Sequence, residues 1–265
     1  MSTEEYIFDT GSELGEKHVE YLEKMLDGPT TMVLSSVNIQ PGQRCLDVGF
    51  GGGSIARWMS DRVGPTGRVD AIDVDTDHLE SGDNIEVFKH DLNNGLPEAA
   101  QGPYDVIHAR QVLMHMPQRE AIFQKLIDAL APGGWLVFGE MTDRDRAVKS
   151  APSQADAELW DKIQHMNHHL VGMPNGMNFD WAHEIDGHMA DAGLEDIQGM
   201  EYSQVTAGGS NGMLLHRNLN IQAEPLLLKV GATKEELERY RELTLDPSFR
   251  AWFFQTIFTW GRKKA

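Results

Sequence analysis

Three carboxylates and a cluster of glycines in the first half of the chain have types and spacing suited to binding a nucleotide cofactor. The run Cys45-Leu46-Asp47-Val48-Gly49-Phe50-Gly51-Gly52-Gly53-Ser54 predicts an apolar strand ending in an acid, a glycine turn, and a helix from about Ser54. Glycines at 49, 51 and 53 leave room for a ligand, and the free N–H groups of a helix N-terminus favour an anion. This segment therefore predicts a binding site for a nucleotide cofactor.

Two further acids follow the next two predicted strands. Asp73 closes residues 68–73, about 20 residues past the glycine turn, where a carboxylate can accept from both ribose hydroxyls. Asp91 follows residues 85–90 and can accept from an adenine amine, while Leu92 donates its backbone N–H to the ring. Asp47, facing the turn, would repel a pyrophosphate but suits a sulfonium and an ammonium group. The turn by itself also fits G-x-G-x-x-A, so a nicotinamide-dependent oxidoreductase is an alternative.

A parallel sheet would bring these strand ends together. Short β-rich runs alternate with amphipathic helices, which predicts such a sheet with helices on both faces and ligands beyond the carboxyl ends of the strands. The predicted strands are residues 44–48, 68–73, 85–90, 104–109, 135–140, 197–205 and 251–260, and the helices between them include 55–63 and 119–130.

Additional helices are predicted to cover the ligand edge of the sheet. They are residues 11–38, 155–171 with the apolar stripe Leu159, Ile163, Met166 and Leu170, then 179–192, 211–229 and 234–243. We predict four regions from this pattern. They are an N-terminal helical cover at 1–40, a cofactor-binding Rossmann-like core at 41–145, an inserted lid helix at 146–178, and the remainder of the core at 179–265 with a second helical insertion at about 206–246.

The chain resembles the class I S-adenosylmethionine-dependent methyltransferases, in particular small-molecule enzymes of bacterial secondary metabolism. The resemblance is carried in order by residues 46–53, 71–75, 90–92, 104–110 and 130–136. It implies an α/β, Rossmann-like fold with a seven-stranded, mostly parallel sheet, an antiparallel last strand at 251–260, and a helical lid. It also implies a site for each part of the cofactor. The methionine moiety lies at Gly49, Phe50, Gly51 and Gly53, the ribose at Asp73, the adenine at Val74, Asp91 and Leu92, and the sulfonium near Ala109 and Arg110.

Composition limits the partners and the compartment. The formal net charge is -18, from 41 acids and 23 bases, which disfavours nucleic acid and anionic membranes as partners. The single cysteine, Cys45, excludes intrachain disulfides and fits a reducing compartment. Residues 1–6 lack the basic and apolar regions of a signal peptide, and no apolar run is long enough for a membrane helix. We therefore expect a cytoplasmic protein with a small-molecule substrate.

The segment after the fourth strand excludes some acceptor classes. His108-Ala109-Arg110-Gln111 lacks an Asn-Pro-Pro-Tyr motif, a Pro-Cys nucleophile and the Asp-Asn pair typical of metal-dependent catechol enzymes. More than half of the 13 methionines lie after Glu140, which suits an apolar pocket. The sequence thus predicts metal-independent methylation of a small, partly hydrophobic metabolite on oxygen, carbon or nitrogen. A protein that binds S-adenosylmethionine without transferring a methyl group is the alternative.

Methyl transfer from a sulfonium needs alignment more than acid or base catalysis. If a base exists, histidines are the natural candidates, because their pKa lies near neutrality. His165 and His169 lie one turn apart on one flank of a predicted helix, His168 faces roughly opposite the apolar stripe, and His115 precedes the helix after strand four. The histidine pair lacks a nearby third metal ligand, so we predict no metal. Asp73, Asp75 and Asp77 resemble the start of a calcium loop, but His78 occupies its glycine position.

Overall fold

A computed structural model of the chain describes residues 12–143 and 148–265. The first residues, for which we predict no secretion signal, lie outside this part. Contacts between Cα atoms divide the chain into two units, which we name and describe separately. The sheet unit comprises Leu26–Thr142, Asn178–Tyr202 and Thr256–Ala265. The helical unit comprises residues 12–25, Asp143–Met177 and Ser203–Gln255.

The elements are numbered in chain order. The strands are β1 (Arg44–Val48), β2 (Arg68–Asp73), β3 (Ile85–Lys89), β4 (Tyr104–Arg110), β5 (Leu130–Thr142), β6 (Val148–Ser150), β7 (Glu195–Tyr202), β8 (Val205–Ala207), β9 (Arg250–Trp252) and β10 (Gln255–Arg262). The helices are α1 (Glu13–Ser36), α2 (Ser54–Val63), α3 (Arg119–Asp128), α4 (Gln154–His165), α5 (Trp181–Asp191), α6 (Asn211–Gln222), α7 (Glu224–Lys229) and α8 (Lys234–Leu243). No helix within the described residues is long and apolar enough to cross a membrane.

The sheet unit is built on seven strands in the order β3-β2-β1-β4-β5-β10-β7. The strands from β3 to β5 run parallel to their neighbours, and β10 is antiparallel to β7. This arrangement confirms the predicted Rossmann-like fold with an antiparallel last strand. The carboxyl ends of β1, β2, β3 and β4 therefore meet at one edge, where ligands bind in open sheets of this type.

Alternating side chains of β1 explain how helices cover both faces of the sheet. Leu46 and Val48 pack with α3 and α5, whereas Cys45 packs on the opposite face with α2 and the second half of α1. Asp47 has the same parity as Cys45 and faces that second group of helices. The alternation therefore buries a carboxylate on the α1 and α2 face, close to the glycine turn.

At the start of the parallel strands, a buried carboxylate joins three elements. Asp70 of β2, with no exposed surface, accepts from Arg44 Nη2 at 2.6 Å, Arg68 Nε at 2.5 Å and the Tyr104 hydroxyl at 2.7 Å. Burial and the bond to Asp70 raise the pKa of the Tyr104 hydroxyl. Because a buried charge is costly unless it is paired, this cluster links β1, β2 and β4.

The helical unit has its own core. Trp160 of α4 stacks on Tyr240 of α8, with ring centroids 4.7 Å apart, and lies 4.8 Å from the ring of Phe249. A three-stranded antiparallel sheet in the order β6-β9-β8 completes this unit. The aromatic rings are thus buried together with aliphatic side chains of α4, α7 and α8 in one apolar core.

Two predicted elements are divided in the structure. The strand predicted at 251–260 is wrong as one element, because β9 and β10 belong to different sheets and Phe253 and Phe254 lie buried between them. A continuous apolar run does not reveal such a break. The helix predicted at 211–229 also divides, at Ala223, and α7 begins with Pro225 in its first turn. Proline favours a helix start and disrupts a helix interior.

Candidate functional site

The glycine turn follows β1 and leads into α2. Gly49, Gly51 and Gly53 have φ values of 65°, 55° and 79°, in the left-handed region that favours glycine. A Cβ on Gly49 would also lie 2.2 Å from Cγ2 of Val112, so a side chain there would clash with the segment after β4. Gly53 precedes α2 and has no side chain that could cap the helix. The turn therefore presents backbone donors of the kind that bind an anion.

Asp73 at the end of β2 holds the glycine turn in place. Its Oδ2 accepts from the Gly51 N–H at 2.9 Å, and its Oδ1 accepts from the N–H groups of Val74 at 2.7 Å and Asp75 at 3.2 Å. Burial raises the pKa of this carboxyl, while the three backbone donors oppose the increase. Each carboxylate oxygen can accept more than one hydrogen bond, so acceptor capacity remains for ribose hydroxyls. The acid has a structural role that its spacing alone did not indicate.

Asp47 is paired with a histidine that the sequence reasoning missed. Asp47 and His108 occupy the same register on β1 and β4, and His108 Nδ1 lies 2.7 Å from Asp47 Oδ1. Both side chains are buried, with 1% and 2% exposure. Asp47 Oδ2 and His108 Nε2 have no hydrogen-bond partner within residues 12–143 and 148–265. In the sequence, the position of His108 one residue before Ala109 was the only indication that it lies near the site. The register between β1 and β4 was needed to pair it with Asp47.

The residues predicted for the adenine lie at the ends of β2 and β3. Val74 is 53% exposed, whereas Leu92 is buried at the start of a short 3₁₀ turn. Asp91 is exposed and accepts from the Asn93 N–H at 2.9 Å, so its carboxylate caps this turn. An exposed apolar side chain beside an acid provides a surface and an acceptor suited to a purine. The structure thus brings these three residues to the same sheet edge as Asp73.

At the end of β4, Ala109 is buried and Arg110 reaches toward α1. The Arg110 guanidinium donates through Nη1 to Asp27 Oδ1 and Thr30 Oγ1, each at 2.9 Å. Ser54 Oγ, at the start of α2, donates to the same Asp27 oxygen at 3.1 Å. The carboxylate of Asp27 therefore neutralises Arg110 and links α1 to the glycine turn. Sequence reasoning missed Asp27 and Thr30, because no motif surrounds them.

The histidine candidates fall into both units. His115 is half-buried in a 3₁₀ turn after β4, in the sheet unit. His165 ends α4 in the helical unit, and its ring centroid lies 4.5 Å from that of His169. Asp143 contacts two of them, with Oδ1 2.7 Å from His168 Nδ1 and Oδ2 2.8 Å from His169 Nε2. The structure thus groups His165, His168 and His169 around one another and Asp143.

The predicted orientation of His168 is wrong. His168 is 5% exposed, whereas Leu170, predicted to lie in the apolar stripe, is 42% exposed. After α4 the chain continues as a π-helix over Met166–Gly172, whose wider turn shifts each side chain relative to an α-helix. Val171 is buried in this segment instead. Within the described ranges, 12–143 and 148–265, no group of three His, Cys, Asp or Glu side chains could hold a metal ion.

The edge of the sheet unit fits the cofactor that the resemblance implies. S-adenosylmethionine carries a carboxylate, an ammonium, a sulfonium, a ribose and an adenine. The unpartnered Asp47 Oδ2 suits the cationic groups, the N-terminus of α2 suits the carboxylate, and Asp73 suits the ribose. The two acids and the helix N-terminus therefore complement the charges of this molecule, and the glycine turn leaves room for it.

Comparison with known proteins identifies related chains. A family model described as a methyltransferase domain matches residues 19–198. A ubiquinone biosynthesis O-methyltransferase of Bordetella avium is 26% identical over 174 residues, which cover 62% of this chain and 68% of that protein. The methyltransferase GfsG of Streptomyces halstedii is 29% identical over 144 residues, covering 51% of this chain and 47% of that protein. The chain thus spans about half the length of several curated relatives that it matches.

Solved structures share the fold at low sequence identity. Phosphoethanolamine N-methyltransferase 2 of Haemonchus contortus, in complex with phosphomonomethylethanolamine and S-adenosylhomocysteine, aligns with a TM-score of 0.59 and 14% identity. The alignment covers 100% of this chain and 61% of that protein. At this identity the likeness concerns the fold.

Proposed function

The chain belongs to the methyltransferase domain family and is an S-adenosylmethionine-dependent methyltransferase, and we propose that it methylates a small, partly hydrophobic metabolite by direct displacement without a metal ion. Membership of this family argues against the alternative of a nicotinamide-dependent oxidoreductase. The observation that carries the proposal is the bond between the Gly51 N–H and Asp73, which fastens the glycine turn to a ribose-binding acid. We favour oxygen as the acceptor atom, because several curated relatives are named O-methyltransferases.

We propose a role for each residue at the sheet edge. Asp73 accepts from the ribose, and Asp47 attracts the ammonium group, because its Oδ2 is buried without a partner among the described residues. The first N–H groups of α2 bind the carboxylate, and Val74, Asp91 and Leu92 surround the adenine. The cofactor supplies a methyl group bonded to a positively charged sulfur. These contacts orient the donor, and alignment of this kind can supply about 7 to 11 kcal/mol of the barrier.

Arg110 fits near a sulfonium only when its charge is balanced. The ion pair with Asp27 at 2.9 Å provides that balance, and it draws the guanidinium toward α1. Ala109 is buried and small, which suits close approach of the donor. We propose that Asp27 belongs to the site for this reason. His115 is the first base candidate to test, because it lies in the sheet unit after β4.

The proposal extends to compartment and regions of the chain. We propose a cytoplasmic location, which is supported by the presence of a single cysteine, Cys45. Its thiol is buried, and burial raises the pKa of this thiol. The N-terminal cover at 1–40 and the lid helix at 146–178 also stay proposals, and residues 1–11, 146 and 147 of these ranges lie outside the described part of the chain. A small-molecule acceptor is supported by the net charge of -18, which disfavours polyanions.

Calorimetry and a product assay test the proposal. We expect S-adenosylhomocysteine to bind and NADH to give no signal, and the reverse result would refute the cofactor assignment. Release of S-adenosylhomocysteine with a panel of hydroxyl, amine and carbon acceptors, with and without a chelator, tests methyl transfer and metal independence. Loss of turnover with the chelator would refute a metal-independent reaction. Binding without release on any acceptor would favour the non-methylating alternative. Mass spectrometry of copurified ligands identifies acceptors for the panel.

A further inference from the structure

We propose that Glu140 is a positioning residue whose buried carboxyl holds the post-β4 turn, residues 111–116, against the glycine turn. The inference rests on the proposed cofactor site, because it concerns one wall of that site. Val112 of the post-β4 turn packs on Gly49, so closely that a Cβ on Gly49 would lie 2.2 Å from Val112 Cγ2. The position of the glycine turn therefore depends on the position of the post-β4 turn.

The contacts of Glu140 explain how it can hold this turn. Glu140 lies on β5 and has no exposed surface. Its Oε1 accepts from the Leu113 N–H at 2.9 Å, and the N–H groups of Val112 and Met114 also act on the carboxyl and lower its pKa. Buried N–H groups without an acceptor are costly. One carboxyl thus accepts from the Leu113 N–H and also interacts with the N–H groups on either side of it.

The turn needs such external support. Gln111, its first residue, has a φ of 55°, a left-handed conformation that side chains other than glycine disfavour. Its N–H donates to the Gly139 carbonyl at 2.8 Å, and the Met114 carbonyl accepts from the Asn178 N–H at 2.9 Å. These backbone bonds hold Gln111 and Met114. Two side chains also hold the middle of the turn: Arg119 donates to the Leu113 and Met114 carbonyls at 3.2 and 3.4 Å, and Glu140 accepts from the Leu113 N–H.

The environment of Glu140 makes its protonation state matter. Burial raises the pKa of this carboxyl to about 8. Arg119 of α3 acts electrostatically on Glu140, and Glu120 of α3 and Glu184 of α5 act in turn on Arg119. His115 lies in the turn itself, and His183 of α5 contacts Thr142, two residues after Glu140. Arg119 lowers the pKa of Glu140, but the Oε2 atom of Glu140 has no hydrogen-bond partner in the described part of the chain.

Ionisation would therefore weaken the clamp. A neutral carboxyl accepts the backbone bonds through Oε1 without placing a charge in the core. The backbone donors bind a carboxylate more strongly than a neutral carboxyl, but burial penalises the charge by more, which is why the pKa is raised, and water can hydrate the buried Oε2 only if the turn moves. We expect cofactor affinity to fall when Glu140 ionises, because the turn that supports Gly49 then opens.

Two substitutions separate hydrogen bonding from charge. Glu140→Gln keeps the acceptor oxygen and the shape, whereas Glu140→Leu removes the acceptor. Val69→Ala, in the buried core of β2, is the control for general destabilisation. Calorimetry with S-adenosylhomocysteine at about pH 6.5 should give at least about tenfold weaker binding for Glu140→Leu and changes below about threefold for the other two. Hydrogen exchange should accelerate at residues 111–116 in Glu140→Leu alone.

The opposite results overturn the proposal. Affinity within about threefold of wild type in Glu140→Leu, or equally weak binding in Glu140→Gln, would show that the carboxyl is not a clamp. If Glu140→Leu does not fold, the ratio of wild-type to Glu140→Gln dissociation constants decides. It should rise from about pH 6.5 to about pH 9.5, and a constant ratio refutes the idea. Absence of binding by wild type would refute the proposed function instead, and hydrogen exchange of the ligand-free variants would still test the clamp.

Discussion

Asp73→Ala is expected to weaken binding of S-adenosylhomocysteine at least tenfold. Asp73 is the proposed ribose acceptor, and a hydrogen bond to a charged group contributes about 1.5 to 3 kcal/mol. Loss of one such bond corresponds to about 12- to 150-fold weaker binding. The substitution also removes the acceptor of the Gly51 N–H, so the glycine turn loses its attachment to β2. Both effects reduce affinity, and we therefore regard tenfold as the lower limit.

Two variants divide the ligand effect from the structural effect. Asp73→Asn retains a carbonyl oxygen for the Gly51 N–H but loses the charge, so its affinity should lie between those of wild type and Asp73→Ala. Asp77→Ala removes a neighbouring exposed carboxylate and is the control for net charge. It should bind like wild type.

Calorimetry at neutral pH, with circular dichroism to verify folding, measures these differences. A dissociation constant for folded Asp73→Ala within about threefold of wild type would refute the ribose assignment. The pH dependence gives a second check, since ribose hydroxyls donate best to the ionised carboxylate. Because burial raises the pKa of Asp73, wild-type affinity should begin to fall, on acidification, at a higher pH than an ordinary aspartate would produce.

Three further predictions concern stability. Gly49→Ala should lower the stability measured in thermal melts by more than the roughly 1 to 2 kcal/mol of left-handed strain, because the new Cβ would clash with Val112. Gly193 is also left-handed but has no atom near its Cβ position, so Gly193→Ala should cost only the strain, and equal losses of stability in the two variants would contradict the clash. Asp70→Ala should cost about 3 kcal/mol in urea denaturation, since two arginines and a tyrosine lose a buried partner, and a loss below about 1 kcal/mol would contradict this. Glu140 binds a proton more tightly in the folded state, where its pKa is about 8 against an ordinary value of 4.5. The wild type should therefore lose stability relative to Glu140→Gln as the pH rises through that window, by at most about 5 kcal/mol, and a pH-independent difference in urea denaturation would contradict this.

The strand ends that form the proposed cofactor site were predictable because their signals are local. Asp47 and Asp73 each close a short apolar run, and glycine at 49 permits a left-handed backbone that other residues disfavour. Element bounds agreed closely where caps and periodicity coincide. Lys234–Leu243, for example, follows a Thr233 capping box and matches its predicted bounds.

Partners distant in the sequence were not predictable from one chain. His108 faces Asp47 because β1 and β4 are adjacent in register, and Asp27 reaches Arg110 across 83 positions. No spacing rule connects such residues. The π-helix that buries His168 was likewise missed, because the α-helical period predicted Leu170 in the buried stripe.

The sequence by itself determined the order of strands and helices from β1 to β5 and the acids and glycines at the sheet edge, since these depend on local periodicity and backbone conformation, and the motifs there carried the resemblance to the family. The tertiary structure decided what each of those groups contacts. It divided the last apolar run between two sheets, paired Asp47 with His108, and placed Glu140 beneath the turn that packs on Gly49. Hydrogen-bond partners and burial depend on strand register and packing, which only the folded chain defines.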